Sequence, residues 1–235
     1  VGREDFQRRL AEAVRELHDQ VDPPHTLQRM VEITPEFFDS CDFVGVSLIE
    51  PDRIRTPAAT NELLRQLDDS QFELEQGPCY EAIRNDPVVI IGDLATDSRW
   101  PIWGRAMVLE LGVRASLSFR LFTRHDRSWG ALNLYSRTPH AFSEVDVQHG
   151  QVVAAMCAVA LAKAINDHQL ATALESRTVI GQAMGMLMER YGLDEHAAFA
   201  AMRRISSQDN RKLRDLAAQI VSDRDTPIAP APDPA

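Results

Sequence analysis

The chain is poor in cysteine. Three occur in 235 residues (Cys41, Cys79 and Cys157), far apart and with no CxxC pair. An odd, scattered set supports neither a disulfide framework nor a structural zinc site, and it suits a reducing cytoplasm. Long apolar runs are also lacking. The longest, Val152 to Ile165, spans about 14 residues and carries Lys163, short of the roughly 20 needed to cross a bilayer. It reads as a buried or intersubunit helix, with no membrane partner. The first residues, VGREDFQRRL, are polar and open on Val1, so no secretory signal is expected. Basic residues are in the minority, 25 Lys and Arg against 35 Asp and Glu, for a formal charge of −10. That excludes a surface that binds nucleic acid all over. No HExxH, GxSxG, Walker A or GxGxxG pattern occurs, the seven histidines are scattered, and Asp93, Asp97 and Glu110 form no recognisable acid/base pair. The chain is therefore not expected to be an enzyme; a small-molecule enzyme on the sheet would need a constellation that is missing. No cofactor is assigned.

With 44% hydrophobic and 26% charged residues, what remains is ordinary globular material, sized for one large domain or a medium one plus a small one. Residues 3–20 carry Phe6, Leu10, Ala13, Val14 and Leu17 at helical spacing. Asp22-Pro23 reads as the N-cap and first residue of a second helix running to about Phe38. The period then changes. Strands are expected at 43–49, 53–57, 88–91, 115–122 and 129–135, with turns at Pro51-Asp52 and His125–Ser128. Helices are expected at 60–74, 79–84 and 102–111, the last stopping at Gly112. Strands joined by short turns and interleaved with helices predict an α+β fold, an antiparallel sheet with helices packed on it. Ser143 opens a long helix that continues to about Arg190. Asp146 sits at the third position, where a capping box prefers Glu or Gln. Such a rod is not stable alone in water. Val145, Val152, Met156, Val159, Leu170 and Leu174 offer heptad-like contacts to a second copy, interrupted by Lys163 and Asn166, and the helix 3–20 fits alongside in a four-helix bundle.

The stretch from Leu174 to Val221 departs from the acidic average. Between Arg203 and Arg214 five basic residues (Arg203, Arg204, Arg211, Lys212, Arg214) stand against Asp209, a local charge of +4. Asp194 is expected to cap a helix over 195–205, and Ser207 a further helix over 208–221. Ala198, Phe199, Met202 and Ile205, with Leu213, Leu216, Ala217, Ile220 and Val221, would close a three-helix core on Ile180, Met184, Leu187 and Met188. Gly181 and Gly185 would permit close helix approach. Arg203, Arg204, Ser206, Ser207, Asn210, Arg211 and Arg214 would stay outside, with arginine forks for phosphates and Ser or Asn for base edges. The competing reading is a solvated face whose arginines pair with Asp209 or Asp215. Arg177 and Arg190, on the long helix near Gln182, either add phosphate contacts or solubilise a dimer seam.

GPCYEAIRNDPVVIIGDLATDSRWPIW (77–103), LGVRASLSFRLF (111–122) and GALNLYSRTPHAFSEVDVQHG (130–150) resemble a GAF domain of the actinobacterial type. IGQAMGMLMERYGLDEHAAFAAMRRISSQDNRKLRDLA (180–217) resembles an ANTAR domain. The resemblance divides the chain into an N-terminal dimerisation helix (1–24), a GAF sensor domain (25–165), an ANTAR domain (166–224) and a disordered tail (225–235). It implies a cytoplasmic homodimeric transcription antitermination regulator. ANTAR helices would bind paired hairpins in nascent RNA through Arg177, Gln182, Arg190, Arg203, Arg204, Ser206, Ser207, Asn210, Arg211, Lys212 and Arg214, gated by the GAF module. The alternative is a protein-interaction or DNA-binding regulator using the same basic helices. Many ANTAR domains carry Lys between the Ala and Gly where this chain has Met184. Cys79, Trp100 and Trp103 are candidates for sensing a small-molecule ligand. The favoured reading is that Cys79 is a buried small hydrophobe, with no basic neighbour to lower its pKa, and that the two tryptophans are core.

Overall fold

The computed structural model describes residues 2–50, 53–122 and 128–223. The expected turns at 51–52 and 125–127 and the expected tail lie outside the described residues. The chain forms two compact units, residues 1–168 and 169–235.

The first unit begins with α1 (Arg3–His18), which buries Phe6, Ala13 and Leu17 but leaves Val14 half exposed. In α2 (Pro23–Ile33) Asp22 accepts the His25 N–H at 2.9 Å and Pro23 stands in the first turn, where its missing N–H costs nothing. The helix ends five residues short of Phe38. Pro35 supplies no N–H, and the chain tightens into a 3-10 turn, Thr34–Phe37.

The sheet contains β1 (Phe43–Ile49), β2 (Ile54–Ala59), β3 (Val88–Ile91), β4 (Ala115–Phe122) and β5 (Ser128–Ser136). Their order is β2-β1-β5-β4-β3, and every neighbouring pair is antiparallel. Gly130 lies opposite Leu48 with φ +156°. A Cβ there would sit 1.7 Å from the Ser47 carbonyl oxygen, so only glycine allows β1 and β5 to close.

The two-residue strand period sorts side chains onto two buried faces. Val44, Val46, Leu117, Phe119, Leu121, Leu132 and Leu134 pack against α1, α2 and the first part of α6 (Glu144–Tyr191, 48 residues). Gly150 lets α6 lie this close, since a Cβ there would meet the Phe119 ring at 2.1 Å. The cap of α6 uses Asp in the Glu role: Ser143 N–H donates to Asp146 Oδ2 at 2.8 Å, and Asp146 N–H returns to Ser143 Oγ at 3.3 Å. Among the described residues α6 is the one helix long and apolar enough to cross a bilayer by overall length and composition, although its longest apolar run, Val152 to Ile165, falls short of a span. Its first half buries Val153, Cys157 and Leu161 on the sheet.

The opposite face is covered by α3 (Glu62–Glu73, capped by Asn61), α4 (Pro78–Arg84) and α5 (Trp103–Ala106). A π-helical turn, Met107–Leu111, extends α5 to a stop at Gly112, in the left-handed region at φ +70°. This face buries Phe43, Ala131 and Tyr135 beside Leu64, Cys79 and Trp103.

The second unit continues α6 into α7 (Glu195–Gln208) and α8 (Leu213–Ser222). Gly192, at φ +63°, ends α6, and Asp194 caps α7 by accepting the Ala197 N–H at 2.7 Å. The core is Ala183, Leu187, Ala198, Met202, Leu216, Ala217 and Ile220, with Ile180, Met184, Met188, Ile205, Leu213 and Val221 partly buried around it. Two expectations fail here. Phe199 stands outside this core and is exposed. A Cβ on Gly181 or Gly185 would meet nothing within 4 Å, so these glycines face open space rather than a packed helix.

Candidate nucleic-acid interface and sensor interior

The basic residues converge on the α7–α8 junction. Ser207 does not cap a new helix as expected. It lies inside α7, which runs to Gln208, and the break falls at Asp209–Lys212. Asn210 takes the left-handed conformation at φ +49°, which Asn tolerates better than most residues. Ser206 Oγ donates to the Arg211 carbonyl at 2.6 Å, and the Arg211 N–H returns to the Ser206 carbonyl at 3.0 Å. Ser206 is thus spent on shaping the turn. Lys212 occupies the N-cap position of α8 with no side-chain cap, a place that brings a positive charge to the positive end of a helix dipole.

Arg203 and Arg204 project from α7, Arg211 and Lys212 from the turn and Arg214 from α8, all exposed. Arg211 reaches Gln219 Oε1 at 2.7 Å, and Arg214 pairs with Asp215 at 3.2 Å. An exposed pair of that kind contributes about 0–1 kcal/mol and competes weakly with a phosphate. Arg203, Arg204 and Lys212 have no acidic partner among the described residues. Gln182 and Arg190 lie elsewhere. They line a groove of about 610 Å³ with Gly185, Met186, Glu189 and Val221, at the far end of α8 from the turn. Arg177 is exposed on α6.

In the first unit, the residues proposed for sensing are interior ones. Cys79 opens α4 with no exposure, its N–H donating to Gln71 Oε1 at 3.0 Å. Trp103 is fully buried, its Nε1 donating to the Leu67 carbonyl at 3.1 Å, and Trp100 meets it edge-on at 6.4 Å. Around them stands a polar cluster that the linear pattern does not reveal. Asp68, on α3, is completely buried. It accepts hydrogen bonds from the Tyr135 hydroxyl, from Gln71 Nε2 at 2.8 Å and from Asn133 Nδ2 at 3.5 Å. Asn133 also donates to Ser47 Oγ at 3.2 Å, which contacts Thr56 Oγ1 at 3.0 Å. Burial outweighs these bonds and pushes the Asp68 carboxyl up to about 7. Burial and the nearby Asp68 charge push the Cys79 thiol up to about 12, and the same causes hold the Tyr135 hydroxyl well above its ordinary range. The Ser116 and Ser118 hydroxyls and Asn133 Oδ1, neighbours on this sheet face, are buried with no hydrogen-bond partner among the described residues. Such groups cost about 1–3 kcal/mol each unless water or a ligand satisfies them. The only hint in the sequence is the alternation of Ser116 and Ser118 with large apolar residues along β4. Among the described residues no group of three metal-ligating side chains occurs.

Comparison with known proteins finds two domain families along the chain. The GAF domain family model matches residues 20–162, and the ANTAR domain model matches residues 168–221. A comparison with curated proteins found no match. Among solved structures, bacteriophytochrome RpBphP3 from R. palustris aligns with a TM-score of 0.60 at 16% identity, over 86% of this chain and 47% of that one. The chain therefore spans under half of that protein. A free methionine-R-sulfoxide reductase from Neisseria meningitidis aligns with a TM-score of 0.55 at 16% identity, over 70% and 93% of the two chains. The GAF domain of an Acinetobacter phosphoenolpyruvate-protein phosphotransferase aligns at 0.54 and 16%, over 71% and 97%. At these identities the likeness is one of fold. A GAF domain is a sensor domain and an ANTAR domain an RNA-binding regulatory domain; the chain belongs to the GAF domain family and carries an ANTAR domain behind its sensor.

Proposed function

We propose that this protein is a cytoplasmic antitermination regulator that recognises paired hairpins in nascent RNA and is gated by its GAF domain. The observation that carries the reading is the α7–α8 junction, where Arg203, Arg204 and Lys212 stand exposed without acidic partners among the described residues, on a chain whose total charge is −10. A concentrated positive face on an acidic protein attracts a polyanion locally and repels it elsewhere. A tight turn flanked by arginines suits hairpin loops, whose bases are unstacked and accessible, better than the deep major groove of an RNA duplex.

Two copies would read two hairpins. Support for pairing comes from exposed apolar residues on α6: Val145, Val152 and Val159 recur every seven residues, followed by Leu170 and Leu174. Val14 on α1 is exposed as well. A ligand entering the Asp68 interior would bias the spacing of the two α6 helices. No catalytic role is proposed. The thiols of Cys41, Cys79 and Cys157, each pushed up to about 12, are held as thiols at neutral pH, which disfavours nucleophilic chemistry.

The test is transcription in vitro through a terminator preceded by two short hairpins. Added protein is expected to raise read-through, and deletion of one hairpin to abolish the gain. Unchanged termination, with equal binding to duplex DNA and RNA at matched salt, would refute the reading.

A further inference from the structure

Phe199 is a large aromatic side chain on the surface of the second unit, 37% exposed, although Ala198 on one side and Met202 one turn on are fully buried. A lone exposed hydrophobe is unremarkable by itself. Its company is not. Four residues on an α-helix turn the face by about 40° and advance it about 6 Å, so Phe199 and Arg203 stand one above the other. Arg203 has no acidic partner among the described residues, and α7 ends about a turn and a half further on, at the break that carries Arg211 and Lys212.

We propose that Phe199 is a stacking platform for an unpaired RNA base, with Arg203 holding the adjacent phosphate. The proposal rests on the RNA-binding reading and gives it a recognition element. Arginine and lysine alone hold any polyanion. A flat apolar ring beside them favours nucleic acid whose bases are splayed out, because every base offers a face to stack on and a duplex hides it. Phenylalanine carries no hydrogen-bonding group, so it would select an unpaired base without selecting which one. Sequence choice would fall to polar neighbours such as Ser207 and Asn210, both exposed.

The test uses the full chain and an RNA of two adjacent hairpins with 2-aminopurine at successive loop positions. Phe199→Leu keeps a hydrophobe of similar size but removes the ring, and Phe199→Trp enlarges it. Loss of one stacked base corresponds to roughly a 10- to 100-fold weakening. Phe199→Leu is expected to weaken binding by that amount with an unchanged salt slope, and to abolish the 2-aminopurine response at one loop position. Phe199→Trp should retain both. Arg203→Ala should instead lower the salt slope. If Phe199→Leu binds like wild type while Arg203→Ala weakens binding, the stacking proposal is overturned and the RNA reading stands. If Phe199→Leu changes the oligomeric state, a second copy covers the ring and the proposal falls. If wild-type protein binds none of the RNAs, both readings fail together.

Discussion

The Tyr135 hydroxyl donates a hydrogen bond to the Asp68 carboxyl, tying β5 to α3 inside the sensor unit across 67 positions of sequence. Both groups are buried, and the charged form of Asp68 is disfavoured by that burial more than its three hydrogen bonds favour it. A carboxyl poised near neutrality inside a polar cluster makes the state of the sensor interior sensitive to protonation and to any ligand that brings its own hydrogen bonds.

The first prediction follows from that poise. Asp68 holds its proton up to about pH 7 when folded but releases it near 3.8 when unfolded. Its stabilising contribution is complete below about pH 4 and is lost as pH rises through 7. Asp68→Asn keeps an acceptor for Tyr135 and removes the titration. Thermal unfolding from pH 5 to 8 should therefore show wild type losing stability relative to the variant by a few kcal/mol (each pKa unit is worth about 1.4 kcal/mol). Parallel curves for the two proteins would mean that Asp68 titrates like an exposed acid.

The thiols give a second prediction. Cys79 and Cys157 are wholly buried, with thiols pushed up to about 12 by that burial. Alkylation at pH 7.5 should leave both unmodified in the folded protein, with partly exposed Cys41 reacting first and slowly. Modification of Cys79 at the rate of a free thiol would point to an open sensor interior.

A third prediction contrasts two glycines of one helix. At Gly150 a methyl group would lie 2.1 Å from Phe119 Cζ. Overpacking of about 1–3 kcal/mol should exceed the gain in helix propensity, about 1 kcal/mol, so Gly150→Ala destabilises. Gly181 meets nothing within 4 Å, so Gly181→Ala should stabilise by up to about 1 kcal/mol. Chemical denaturation reads both; equal effects would place α6 farther from the sheet.

These contrasts mark what the sequence discloses and what it hides. Each of the five strands was legible because apolar runs end at turn residues, and α6 because its periodicity meets no breaker but Gly150 before Gly181. The sequence places the α7–α8 break too early because Ser207 is a good cap in isolation. Asn210 in the left-handed region, with Ser206 closing the turn, carries the helix one turn further. Periodicity alone puts Phe199 in the core because it fits an apolar stripe, and periodicity does not register how narrow the buried stripe of a small three-helix unit is. The Asp68 cluster was invisible for another reason. Ser47, Thr56, Asp68, Gln71, Asn133 and Tyr135 come from four elements, and only the folded sheet order brings them together.

The most direct test of the account is the affinity of the purified protein for a two-hairpin RNA, a single hairpin and a loop-scrambled control over a salt series. The Arg203→Ala/Arg211→Ala double variant is measured alongside. Tight binding to the two-hairpin RNA alone is expected, with a large loss in the double variant and a log–log salt slope lowered by about 1.5 for two lost phosphate contacts. Equal weak binding to all three RNAs, unchanged in the double variant, would contradict it and leave the α7–α8 junction a solvated surface.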